Sequence, residues 1–324
     1  MPNITFRETE PFPAYPLLII SIYMKKIFYL LTLLLCSSFF TSQAYGARWK
    51  AKHVVFIGLD GWGSYSVDKA RMPRVKALME NGCYTLEKRT VLPSSSAVNW
   101  ASIFMGAGPE LHGYTEWGSK VPELKSRTIG NYGIFPNIWG LMRDRYPDAR
   151  TGYFYEWDGM RYVADTAAIS HSLFVGDAAA HPGRMSQEAS AYIRAEQPAL
   201  VGIIFDEPDH VGHGPGHDTP DYYEKLNQLD TFIGEIIDAT KAAGIYDDTI
   251  FIVTSDHGGI NTGHGGKTME EMETPFIISG KNIRKGGEFT ESMMQYDVAS
   301  TLAYIFRIEQ PQVWIGRPMK QVFR

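Results

Sequence analysis

Cysteine is scarce: the 324 residues contain two, Cys36 and Cys83. Cys36 falls in an apolar amino-terminal run that reads as an export signal, so a processed chain keeps only Cys83 and can form no intramolecular disulfide. Stability in an oxidising compartment must then come from sources other than a disulfide, packing first among them. An excess of basic charge is also missing. A formal net charge of −5 offers no bulk attraction to a nucleic-acid polymer, and none is expected as a partner. Long apolar runs are few. The run at residues 27–40 is too short to cross a bilayer comfortably and no second one follows, so no stable membrane span is expected in the processed chain. Internal repeats, linkers and low-complexity stretches are absent. With 44% hydrophobic and 21% charged residues, the chain can bury a substantial core in one large domain.

The amino terminus reads as an address. Met24-Lys25-Lys26 precedes the apolar run, and Ala44 and Gly46 supply the small residues at −3 and −1 of a cleavage after Gly46, the pattern of a bacterial export signal. Residues 1–23 carry Glu8, Glu10 and several prolines ahead of the basic pair, so the expected start is Met24. Leu35 stands before Cys36, where a lipoprotein signal needs a small residue. Residues 1–46 are therefore expected to be a non-native extension plus export signal, residues 47–324 a single domain, and the periplasm the destination.

Three apolar, β-branched runs end in acid: residues 54–60 stop at Asp60, residues 201–209 at Asp206, Glu207 and Asp209, and residues 250–256 at Asp256. Such runs read as buried parallel strands, and an open α/β sheet places ligand sites beyond their carboxyl ends. Histidines follow: His213 four after Asp209, His257 next to Asp256, and His264 between Gly263 and Gly265. Carboxylate and imidazole in this mixture suit Zn²⁺ or another borderline divalent ion such as Mn²⁺ or Fe²⁺. Six such residues suffice for two ions, and a pair about 4 Å apart can clamp the attacking and leaving oxygens of a phosphoryl transfer.

Between the first and second clusters, Pro93-Ser94-Ser95-Ser96 leads into Ala97-Val98-Asn99-Trp100 with apolar residues at helical spacing up to Gly106. This reads as a loop entering a short helix. A hydroxyl at that start gains from the amide dipoles, which also favour an incoming phosphate, and coordination to a metal would lower its pKa further.

With these motifs the chain resembles the alkaline phosphatase superfamily, and within it the type I phosphodiesterase/nucleotide pyrophosphatase branch, from about Val54 to Gln321. The motifs that carry the likeness are Asp60-Gly61, Ser96-Ala97-Val98-Asn99, Asp209-His210-Val211-Gly212-His213, Asp256-His257-Gly258 and Gly263-His264-Gly265. The resemblance implies a three-layer α/β/α sandwich with a largely parallel sheet. It implies that Asp209, His213 and His264 hold one metal while Asp60, Asp256, His257 and the Ser96 oxygen hold the other, and that Asn99 binds a non-bridging phosphate oxygen. The branch usually has threonine as nucleophile; Ser96 is chosen from the three serines because it alone stands three before Asn99. No Cys or Ser followed by x-Pro-x-Arg occurs there, which argues against a sulfatase. No arginine follows Ser96 before Arg127 to clamp a dianionic monoester as in classical alkaline phosphatases.

Other residues have plainer readings. An Asp at a strand end can be only a cap. His210 or His217 could replace His213 as ligand. Asp206 and Glu207 read as supporting groups, and His112 as a turn residue. Trp62, Trp100, Tyr114, Trp117 and Trp157 crowd the motifs, and of these Trp100 and Trp157 are expected to touch substrate; Asp158 and Arg161 are within reach. Helices are expected at residues 72–82, 136–146, 184–196, 219–243 and 296–306, and further strands at 151–155 and 272–279. The implied activity is cleavage of a small phosphodiester or phosphoanhydride (a nucleotide, lipid head group or similar) through a phospho-serine. A phosphomonoesterase or phosphonate hydrolase using the same metals is the alternative. Head-group transfer is a third, discounted because such enzymes usually carry membrane spans.

Overall fold

The computed structural model describes residues 49–176 and 180–324; the expected Met24 start, export signal and cleavage after Gly46 lie outside the described residues. In chain order the main elements are β1 (His53–Leu59), α1 (Pro73–Glu80), β2 (Gly82–Arg89), α2 (Ser96–Met105), α3 (Ile138–Arg145), β3 (Thr151–Tyr155) and β4 (His171–Phe174). There follow α4 (Arg184–Glu196), β5 (Leu200–Phe205), α5 (Pro220–Ala242), β6 (Thr249–Thr254), β7 (Glu273–Gly280), β8 (Gly287–Glu288) and α6 (Asp297–Phe306).

Every residue from Val54 to Leu59 is buried, as are all of β5 and β6. Strands apolar on both faces need a layer on each side. Val54 and Phe56 pack with Trp100, Phe104, Trp139 and Leu302, from α2, α3 and α6. Val55, Ile57 and Leu59 pack with Val75, Ile193, Leu226 and Ile233, from α1, α4 and α5. Each such side chain contributes roughly 1.5–3 kcal/mol on burial. The result is the expected α/β/α sandwich around one eight-stranded sheet of order β4-β3-β5-β1-β6-β7-β2-β8. The five strands from β4 to β6 are parallel, whereas β7 runs antiparallel to both β6 and β2.

The helices anticipated from the sequence form within two residues of their expected ends. Thr219 caps α5 by accepting from Tyr222 N at 3.4 Å, and Pro220 occupies its first turn, where a missing N–H costs nothing. β2 was not anticipated. Its Lys88 is fully buried, and Nζ donates to the Ser255 carbonyl at 2.9 Å and to Gln295 Oε1. A lysine in this position hides the strand from pattern reading while it braces the loop after β6.

Register brings the acids together. Leu59 pairs with Phe205 and Gly58 with Thr254, so Asp60, Asp206 and Asp256 all emerge at the carboxyl edge of three adjacent strands.

Candidate active site

The innermost part of the site consists of three groups on β1 and β6 ends. Asp60 Oδ2 accepts from Trp100 Nε1 at 2.9 Å, and Asp256 Oδ1 accepts from Gly61 N at 3.2 Å. Their other oxygens, Asp60 Oδ1 and Asp256 Oδ2, are buried without a hydrogen-bond partner. Both lie 3.3 Å from His257 Nε2, and Ser96 Oγ lies 3.2 Å from the same nitrogen. His257 Nδ1 faces the Gly258 carbonyl at 2.8 Å. A carbonyl can only accept, so the ring proton belongs on Nδ1 and the Nε2 lone pair points at the two orphaned oxygens. Two unpaired anionic oxygens, a lone pair and a hydroxyl converging in the interior are a costly arrangement without a cation and a natural one with it.

The outer part is built around Asp209, in a single helical turn after β5 (Asp209–Gly212). Its Oδ2 is 3.0 Å from His213 Nε2 and 3.6 Å from His264 Nε2. Again each Nδ1 faces a carbonyl, Thr262 O at 2.9 Å for His213 and Ser94 O at 3.1 Å for His264. These carbonyls fix tautomer and ring orientation as metal ligands require. The His257 and His264 rings stack with centroids 3.8 Å apart, joining the two parts. Two donor groups result, Asp209 with His213 and His264, and Asp60 with Asp209 and His257; Asp256 and Ser96 complete the second. The donors therefore fit a pair of divalent cations.

Electrostatics agree. Burial, then the charges of Asp256 and Asp209, pushes the Asp60 carboxyl well above its ordinary range. Burial, then Asp209, raises Asp256 to about 7. For Asp209 burial also acts upward, but hydrogen bonds from His213 and His217 outweigh it and hold the carboxyl low. The hydrogen bond to Asp209 lifts His213 to about 9, while burial lowers His264 to about 4. A bound divalent ion would reverse this logic by favouring carboxylate and neutral imidazole throughout.

Close approach is arranged by small residues. Gly61 has φ +69°, and a Cβ there would fall 2.6 Å from Asp209 Cβ; no other residue allows both the turn and the contact. Gly58 similarly clears Trp100, whose ring would meet an added Cβ at 2.3 Å.

Two sequence-based expectations, for Asn99 and Trp100, need correction. Asn99 does not face Ser96: its Oδ1 accepts from Val91 N at 2.8 Å, and its Nδ2 faces the carbonyls of Val91, Pro93 and Ser95. The amide is saturated by the loop that carries the serines, which leaves nothing for a phosphate. Trp100 is wholly buried and supports Asp60 instead of touching substrate. Trp157 is stacked on Trp117, with centroids 6.4 Å apart and planes 25° apart. It is Trp117, 65% exposed, that lines a cavity of about 560 Å³ with Pro93, Ser95, Glu116, His213 and His264. Its carbonyl accepts from Ala97 N at 3.1 Å, which seats it against the start of α2; nothing local in the sequence signals a contact across twenty residues. A larger groove of about 660 Å³ beside Arg71, Asp221 and Thr231 is lined by neither Ser96 nor any member of the two donor groups.

The residues around these groups have partners of their own. Ser94 Oγ donates to Gly266 O at 2.7 Å, which leaves Ser96 as the serine facing His257. Glu207 accepts from Val211 N at 3.1 Å and pairs with Lys225 at 3.2 Å. Asp206 N donates to Glu156 Oε2 at 3.0 Å. His112 Nε2 lies 3.0 Å from Ser102 Oγ, and burial drives its pKa down to about 3. Asp158 and Arg161 pair with each other. His210 is exposed. His217 has its side chain fully enclosed and its Nε2 3.2 Å from Asp209 Oδ1, with Nδ1 3.1 Å from Asn261 O. A Cβ on Gly212 or Gly259 would strike its ring at 2.4 or 2.3 Å. It holds the oxygen of Asp209 opposite to the one that faces His213 and His264, and so aims the carboxylate.

Residues 54–303 match the family described as type I phosphodiesterase / nucleotide pyrophosphatase. GPI ethanolamine phosphate transferase 3 of Saccharomyces cerevisiae is 35% identical over 130 residues, 36% of this chain and 12% of that protein. Ectonucleotide pyrophosphatase/phosphodiesterase family member 1 of Rattus norvegicus is 22% identical over 228 residues, 65% of this chain and 24% of that protein. The chain thus spans a small part of the length of these relatives. Among solved structures, inactive murine ectonucleotide pyrophosphatase/phosphodiesterase 5 in complex with AMP superposes with a TM-score of 0.68 at 16% identity, covering 84% of this chain and 100% of that one, a likeness of fold.

Proposed function

Because the chain belongs to the type I phosphodiesterase/nucleotide pyrophosphatase family, in the alkaline phosphatase superfamily, we propose that it hydrolyses a small phosphodiester or phosphoanhydride with Ser96 as nucleophile. The observation that carries this is the convergence of Ser96 Oγ, His257 Nε2 and the unpartnered oxygens of Asp60 and Asp256. Asp209, His213 and His264 would hold one divalent cation and Asp60, Asp256 and His257 the other, with Zn²⁺ expected first and Mn²⁺ or Fe²⁺ as alternatives; when bound, such ions supply Lewis-acid stabilisation of oxyanions.

The chain itself supplies position. Ser96 stands on the first turn of α2, where backbone amides favour a phosphate group. Asn99 acts one step back, tying residues 91–95 to the helix so that the hydroxyl cannot drift. Ser96 Oγ forms the new bond to phosphorus as the ester or anhydride oxygen leaves, and water then cleaves the phospho-serine and restores the hydroxyl. Trp117 and Pro93 wall the cavity in which the leaving group sits. Among the described residues no arginine or lysine lines that cavity, which suits a monoanionic diester better than a dianionic monoester. Export to the periplasm is part of the same proposal.

Initial rates of the metal-loaded protein on bis-p-nitrophenyl phosphate and p-nitrophenyl phosphate, with Ser96→Ala as control, test it. A diester preference that falls by about 1,000-fold or more in the variant is expected; unchanged turnover in Ser96→Ala would sink the assignment. The likeness to an ethanolamine phosphate transferase favours one second reading, in which an acceptor hydroxyl replaces water. It predicts, when an acceptor alcohol is added, a new phosphodiester in which that alcohol has replaced the departed leaving group.

A further inference from the structure

Four of the ten large hydrophobic residues that stand exposed among the described residues fall within one short segment: Trp117 at 65%, Val121 at 69%, Leu124 at 52% and Ile129 at 57%. The segment is not a loose loop. Glu123 accepts from Thr115 N at 2.8 Å and from Ser119 Oγ at 2.8 Å, Leu124 N donates to Gly113 O at 3.0 Å, and Arg127 N donates to Leu111 O at 2.8 Å. A backbone tied down at these points holds its apolar side chains in water, where they gain nothing for the fold.

Cations are interleaved with them. Lys120, Lys125 and Arg127 are exposed, and none forms an ion pair among the described residues. The acid between them, Glu123, is exposed too, but its carboxylate is engaged by Thr115 and Ser119, so three free-standing cations outnumber the acids along this segment of a chain of net charge −5. The other acid nearby, Glu116, lines the catalytic cavity with Trp117. Apolar tips, an exposed indole and exposed Lys and Arg side chains without ion-pair partners on one rigid segment are what an anionic lipid surface binds, since the tips enter the head-group region while the cations meet lipid phosphates. A protein partner would need no such alternation.

We infer that residues 117–129 form an interfacial lip that docks the protein on an anionic bilayer, with the catalytic cavity opening beside it at Trp117. Docking does not depend on the phosphodiesterase reading; what the cavity then takes, a phosphodiester presented at a lipid–water interface, does.

The test is flotation of the full chain with vesicles of phosphatidylcholine alone or mixed with phosphatidylglycerol, at low and high salt. Wild type is expected to float with the mixed vesicles and to be released as salt rises. Val121→Asp/Leu124→Asp and Lys120→Glu/Lys125→Glu should each lose at least about tenfold in bound fraction, while melting temperature and turnover of soluble bis-p-nitrophenyl phosphate stay unchanged. Both variants keep the same amino terminus, so vesicle binding that persists in them belongs to the apolar run at residues 27–40 and overturns the lip. Failure of wild type to bind overturns it too, as does a dimer that the Val121/Leu124 variant converts to monomer. Vesicle binding without any diester turnover would uphold the lip and sink the hydrolase reading instead.

Discussion

The two halves of the proposed metal site are built differently. Asp60, Asp256 and His257 sit at strand ends with almost no solvent contact, and two of their oxygens have no protein partner. Asp209, His213 and His264 sit on a single helical turn and on loops; the His213 side chain is 48% exposed, and every Asp209 oxygen already meets an imidazole. The inner half is rigid and unsatisfied, so it depends on a cation; the outer half can rest without one. This difference teaches where exchange should occur, since a half-exposed ligand on a loop can open while a strand end cannot.

That contrast can be broken from either side. His257→Ala removes the nitrogen on which the inner oxygens and Ser96 converge, and activity should fall by about 1,000-fold or more without rescue by added zinc. His213→Ala should cost about 100-fold at low zinc and recover part of it at high zinc. Equal and irreversible losses in kinetic assays would erase the distinction. A smaller effect is expected from His217→Ala, which frees Asp209 to turn: outer-site zinc affinity should weaken by about 10- to 100-fold in a titration, with partial return in His217→Gln. An unchanged affinity would mean that Asp209 is aimed by its ligands alone.

What the sequence disclosed and what it hid follow the same division. Asp60, Asp256 and their strands were legible because buried parallel strands must be apolar throughout and end where polar residues begin. Asp209, His213 and His264 were legible from spacing. Asn99 misled: three residues after Ser96 it lies on the same side of α2, but the chain before the helix folds back and consumes its amide. Trp100 misled for a similar reason, since only the absence of a side chain at Gly58 lets its indole reach Asp60. Trp117 was hidden because its contact with Ala97 is set by tertiary path, and β2 because Lys88 finds buried oxygen partners that no local pattern reveals.

Two further outcomes sharpen this reading away from the metals. Asn99→Ala should destabilise the protein by about 2–3 kcal/mol in denaturant unfolding, because several buried backbone groups lose their partner. A phosphate contact would instead lower kcat with little change in stability. The smallest effect concerns Asp165, outside the proposed metal site, whose carboxyl burial raises to about 7 from an ordinary 3.8, with Oδ1 unpartnered. A carboxyl with a raised folded pKa destabilises the fold increasingly as pH climbs from its unfolded to its folded value. Asp165→Asn should therefore raise the melting temperature at pH 8 and leave it unchanged near pH 4; a gain of equal size at both would assign the effect to packing.

The central claim is that one chain holds two metals in unequal halves around Ser96. Counting zinc per chain by mass spectrometry of metals after equilibrium dialysis, in wild type, His257→Ala and His213→Ala, tests it most directly. The account predicts two ions in wild type and one in each variant, with the ion left in His213→Ala the slower to leave under chelation. A saturated wild-type count of one or none would contradict it.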